Sequence, residues 1–166
     1  AILVSMIRQL RLQDPDLPIT VMTRRPRLTG IQTGVSTVHI FNILKAGRIM
    51  KKSKLYISGG GSLIQNATST RSLLYYLYSI RQAKKAGCRV MMYGCGIGPV
   101  TGEKNRRRSA QVLEENVDLI ALRDPESLET LRGFGVHGPE IRITADPALL
   151  MEGDSAVAAR HLEQYG

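Results

Sequence analysis

The chain reads as an α/β protein, a parallel sheet with helices on both faces. Three observations predict this. Short apolar runs of strand length alternate with longer stretches of helical periodicity from Pro18–Thr23 through Ile141–Thr144, and that βαβ rhythm calls for parallel strands with helices packed over them. Two of the strands run straight into glycine clusters, Gly59-Gly60-Gly61 and Gly94-Cys95-Gly96. Helix-start chemistry follows strand ends at Asn42 and at Asp124-Pro125, residues suited to the N-cap and first-turn positions.

In order along the chain, Ala1–Gln13 sets Ile2, Leu3, Met6, Ile7 and Leu10 at helical spacing, which predicts one face packed on a sheet. Asp14-Pro15-Asp16 ends that helix, and Pro18–Thr23 reads as a short buried strand. Arg24–Gly34 is polar and holds Pro26 and Gly30, so it reads as a loop with room for a helical turn. Val35–Ile40 reads as a strand, with His39 near its end as a structural or surface group, and Asn42 opens a helix to about Met50.

The next strand, Leu55-Tyr56-Ile57, stops at Ser58 and three glycines, which read as a bare turn before a helix from Ser69 to Ala86. That helix carries Leu73, Leu74, Leu77, Ile80 and Ala83 on one side and ends at Gly87; Tyr75, Tyr76 and Tyr78 read as core and flank. Arg89–Tyr93 is a strand that enters a second glycine-rich turn, followed by a helix over Thr101–Asn116. Asp118–Leu122 is another strand, Arg123 stands at its end, and Asp124-Pro125 opens a helix reaching Phe134. Ile141–Thr144 is the last strand, Asp146 follows it, and Ser155–Tyr165 reads as helical.

Composition narrows the function. The 166 residues fit one domain, residues 1–166, able to bury a core, and no apolar run approaches membrane-spanning length. The net charge of +9 comes from small groups such as Arg24-Arg25, Lys51-Lys52-Lys54, Lys84-Lys85 and Arg106-Arg107-Arg108. These lack the interleaved aromatic residues that stack bases, which points away from nucleic acid. A basic surface suits an anionic small substrate or anionic lipid at a membrane face. Cys88 and Cys95 have no zinc-ligand spacing, which fits a reduced, cytosolic setting, and no metal set is expected here.

Ligands of parallel α/β sheets bind outside the carboxyl ends of the strands. Read that way, Ser58-Gly59-Gly60-Gly61-Ser62, Gly94-Cys95-Gly96-Ile97-Gly98, Arg123-Asp124 and Asp146 all rise on one rim. Glycines there let a ligand approach the main chain and offer N–H donors to an anion. Arg123 can fork onto a carboxylate or phosphate, or can pair with Asp124 or Asp146 and simply tie loops together.

The succession ISGGGSLIQNATSTRSLLYYL, YGCGIGPV, DLIALRDPES and ITADPALL resembles the polysaccharide pyruvyltransferase family, in particular its bacterial cell-wall branch, over Ala1 to about Met151. The resemblance implies one Rossmann-like half of a GT-B-like two-domain enzyme, with the family's opening strand and its C-terminal domain outside this sequence. It implies transfer of the enolpyruvyl group of phosphoenolpyruvate to an N-acetylmannosamine-type sugar of a cell-wall polymer that anchors surface-layer proteins. No further cofactor is implied. The acceptor would be a lipid-linked saccharide at the cytoplasmic membrane face, with peripheral contact to that surface.

By the same motif matching, Arg123 handles the anionic donor, and Gly59, Gly60, Gly61, Ser62 and Arg71 line the cleft. Asn66 stands where the family commonly has Asp, and Cys95 where it commonly has Asn. This stretch alone is not expected to turn over. Two other readings share the same scaffold: a GT-B glycosyltransferase or epimerase using a nucleotide sugar, and a non-catalytic Rossmann-like binding domain.

Overall fold

The computed structural model describes residues 2–67 and 69–150. The chain runs α1 (Ile2–Gln13), β1 (Thr20–Thr23), α2 (Pro26–Thr33), β2 (Ser36–His39), α3 (Ile43–Met50), β3 (Leu55–Ile64) and α4 (Thr70–Lys85). It continues with β4 (Arg89–Ile97), α5 (Glu103–Asn116), β5 (Leu119–Leu122), α6 (Pro125–Gly133), β6 (Glu140–Ile143) and a 3-10 turn over Pro147–Leu150. Every strand pairing among the described residues is parallel. The arrangement is Rossmann-like, as the alternation requires. The helix expected over Ser155–Tyr165 lies outside the described residues.

The hydrogen bonding falls into two groups, β1-β2 and β3-β4-β5-β6, where the sequence predicts one sheet. Met22 of β1 nevertheless packs against the core of the larger group, so the two share one interior. That core lies between the four strands and α4, α5 and α6, with Leu73, Ile80, Met92, Leu113, Ile120 and Leu131 buried. Each such side chain contributes about 1.5–3 kcal/mol by leaving water.

Three local expectations are corrected. Arg24–Gly34 is largely the helix α2 rather than a loop. Pro26 occupies its first turn, where a missing N–H costs nothing, and Gly34 closes it in the left-handed region at φ 67°. The two glycine clusters are not turns either, because β3 and β4 run through them in register, Gly59 opposite Tyr93 and Gly61 opposite Cys95. Positive φ at Gly60, Gly61 and Gly94 bends these strands without ending them, and the ladder resumes on either side, with irregularities after Gly61 and between Tyr93 and Cys95.

The helix starts follow the local chemistry. Asn42 Oδ1 accepts from the Lys45 N–H, Ser69 Oγ from Ser72 and Asp124 Oδ1 from Ser127. These caps satisfy N–H groups in the first turns of α3, α4 and α6 that have no partner within the helix.

Candidate active site

The site grows from the carboxyl ends of β3, β4 and β5. Arg123 follows the last residue of β5, and its N–H donates to the Cys95 carbonyl at 3.1 Å, extending the ladder by one step. The side chain lies over Gly96, where an added Cβ would stand 3.1 Å from Nε and 3.0 Å from Ser62 Oγ. The missing side chain at position 96 is therefore what seats the guanidinium.

Three segments then converge on it. Nη2 donates to Ser62 Oγ on β3 at 3.2 Å, and Nη1 donates to Asp146 Oδ2 ahead of the 3-10 turn at 3.1 Å. Nε lies 3.5 Å from Asp124 Oδ2 at the start of α6. A guanidinium carries five N–H groups. With three directed at these partners, one on each terminal nitrogen has no partner among the described residues, and the Arg123 side chain is 33% exposed.

Both carboxylates also cap turns, which fixes their orientation. Asp124 Oδ1 takes the Ser127 N–H at 2.8 Å, and Asp146 Oδ1 takes the Ala148 N–H at 2.9 Å. Hydrogen bonding from Ser127, reinforced by the Arg123 charge, holds the Asp124 carboxyl below its ordinary range. One cation against two anions leaves the cluster formally at minus one, so an incoming dianion has to compete with aspartates for the guanidinium.

The structure brings Ser62, Gly96, Arg123, Asp124 and Asp146 together, with Gly61 beside them on β3. Gly61 has a positive φ and open space where a Cβ would be. The other glycines accommodate protein. A Cβ on Gly59 would come within 2.6 Å of Met6 Cε, and one on Gly60 within 2.7 Å of Ile2 Cγ2, so both make room for α1. Gly94 lies against the Pro147 ring. Arg71 is exposed on the first turn of α4, and among the described residues no hydrogen bond or ion pair links it to the Arg123 cluster. Cys95 is buried behind Arg123 with its thiol pushed up to about 12 by burial, which leaves it protonated and a poor nucleophile.

The family model described as polysaccharide pyruvyl transferase matches residues 1–164. The chain belongs to that family. Its class activity is transfer of a pyruvyl group, with a polysaccharide as the acceptor the family implies. No curated protein and no solved structure matches the chain. No helix among the described residues is long and apolar enough to cross a membrane.

Two contacts of this pyruvyl transferase scaffold escape sequence reasoning. Buried Ser127 accepts the Ile97 N–H at 2.7 Å, which pins the start of α6 to the end of β4. Nothing local marks a serine for a partner thirty positions away. Asn66 accepts from the Thr101 N–H at 2.7 Å and donates to the Thr101 carbonyl at 3.0 Å, clasping the segments that follow β3 and β4. Asn at position 66 was the available signal, because an amide both donates and accepts whereas an ionised carboxylate only accepts.

Proposed function

We propose that the whole enzyme transfers the enolpyruvyl group of phosphoenolpyruvate to two hydroxyls of an N-acetylmannosamine-type residue in a cell-wall polymer, forming a pyruvate ketal. The observation that carries the reading is Arg123, seated on Gly96 and bonded to Ser62 at the strand rim of a chain in this family. In the reaction the methylene carbon of the enol takes a proton, the central carbon gains two bonds to sugar oxygens, and phosphate leaves with its bridging oxygen. The two sugar hydroxyls release two protons; one matches the proton gained by carbon and the other leaves with phosphate or solvent.

Arg123 supplies charge where the donor is anionic. Its two remaining N–H groups can take the carboxylate or phosphate, and the Gly61 backbone leaves space beside them. Asp146 and Asp124 hold the guanidinium in place. The acceptor is proposed to be a lipid-linked saccharide reached at the cytoplasmic membrane face, and phosphoenolpyruvate serves as donor with no separate cofactor.

Thermal-shift measurements on the full-length enzyme test this. Stabilisation by phosphoenolpyruvate, with phosphate release on adding acceptor, is the expected result; stabilisation by UDP-sugars alone overturns it in favour of a nucleotide-sugar enzyme. One observation favours the non-catalytic reading, namely that Arg123 already pairs with both Asp124 and Asp146. That reading requires no response to phosphoenolpyruvate and no kinetic effect of Arg123→Ala.

A further inference from the structure

No Asp or Glu occurs between Asp16 and Glu103, while Lys and Arg recur through that whole stretch. It spans β1 to β4, so half of the fold carries cations with no carboxylate side chain of its own to offset them. Within it, the corner between β2 and α3 projects apolar side chains into solvent. Phe41 is 69% exposed, Ile43 57% and Leu44 76%. Lys45 and Arg48 flank them on α3 and are exposed.

The neighbouring corner has the same character. Thr23 pairs with His39 across β1 and β2, and the Ile40 N–H donates to the Thr23 carbonyl at 3.1 Å, so Arg24 and Arg25 emerge beside Phe41. An open groove of about 500 Å³ follows along α2, lined by Arg25, Pro26, Arg27, Leu28 and Ile31. Leu28 and Ile31 are 44% and 76% exposed. Projecting aromatic and aliphatic tips ringed by arginine are costly in water and match the boundary between anionic headgroups and acyl chains.

We propose that this double corner, Phe41-Ile43-Leu44 with Arg24, Arg25 and Arg27, docks the protein on an anionic lipid bilayer. Charge decides the occupant. A second copy related by two-fold symmetry would set the same cations face to face, whereas an anionic leaflet complements them. The apolar tips protrude, as insertion into a deformable surface requires; a folded protein partner would need preformed pockets for them. The proposal goes beyond the transfer reaction and does not depend on it, since docking is read without donor or acceptor.

The test is flotation of the protein with phosphatidylcholine vesicles, with or without phosphatidylglycerol. Binding should require phosphatidylglycerol and weaken with salt. Phe41→Ser with Leu44→Ser, and separately Arg25→Glu with Arg27→Glu, should each weaken it about tenfold or more. Arg107→Glu with Arg108→Glu on α5 should change it little. Circular dichroism confirms that each variant is folded, and the two corner variants act through different forces, so loss of one to misfolding leaves the other decisive. Absent binding, equal binding to neutral vesicles, or corner variants that bind as wild type would overturn the proposal. So would sedimentation velocity showing that the corner mediates a dimer.

Discussion

Gly96 lies against the Arg123 guanidinium, closely enough that a Cβ at position 96 would stand 3.1 Å from Nε. The atoms it would displace are side-chain tips, which can yield by a few tenths of an ångström. Gly96→Ala is therefore expected to cost about 1 kcal/mol or less in stability yet to lower kcat/KM about tenfold by moving Arg123. Gly94→Ala should behave in the opposite sense. It strains a residue at φ 58° and strikes the Pro147 ring, so about 1–3 kcal/mol of stability should be lost. Urea unfolding and steady-state kinetics on the two variants separate seating from packing.

Arg123→Ala in the full-length enzyme should cost at least about tenfold in turnover or donor affinity, on the order of 1.4 kcal/mol. Arg123→Lys should recover little, because an ammonium cannot reach Ser62, Asp146 and a ligand as a fork does. Near-normal kinetics for either variant would remove Arg123 from the site.

Ser127→Ala removes the acceptor of the buried Ile97 N–H. Leaving that donor unpaired should destabilise the fold by about 1–3 kcal/mol, visible as a lower urea midpoint with an unchanged slope. Ser127→Thr should retain the hydroxyl and be milder. Equal losses in both variants would mean that the site responds to size and not to the bond.

Asp118 predicts an acid limb in stability. Its carboxyl accepts from Lys84 Nζ at 2.7 Å and from the Val90 N–H at 2.7 Å. The Lys84 hydrogen bond foremost, then Val90, hold it below its ordinary 3.8. The unfolded chain thus binds the proton more readily than the folded one, so the contribution is complete above the unfolded value and disappears as pH falls through the folded value. Melting temperatures from about pH 7 down to about pH 3 should fall more steeply in the wild type than in Asp118→Asn. Parallel curves would assign the acid limb to other carboxylates, such as Asp124 and Glu114, which shift in the same direction.

Asn66→Asp tests the clasp between the segments after β3 and β4. The carboxylate keeps the Thr101 N–H but confronts the Thr101 carbonyl, where the amide now donates. A loss of about 1 kcal/mol is expected from the missing bond, read as a lower urea midpoint. An unchanged midpoint would mean the clasp is not holding the segments.

The alternation of apolar runs, the caps at Asn42 and Asp124, and Arg123 at a strand end were legible because each depends on neighbours in sequence. Periodicity and capping are local physics, so local sequence determined the elements, their parallel direction and the rim on which chemistry gathers. The same locality explains the misreadings. Glycine clusters resemble turns until a neighbouring strand supplies ladder partners, and Pro26 with Gly30 resembles a loop until a first-turn position makes the proline harmless. Only the tertiary structure decided that Gly59 and Gly60 make room for α1, that Gly96 seats Arg123, and that Asp124 and Asp146 share its charge. Those outcomes turn on contacts between residues far apart in the chain, whose spacing is set by packing and strand register, and no local preference encodes them.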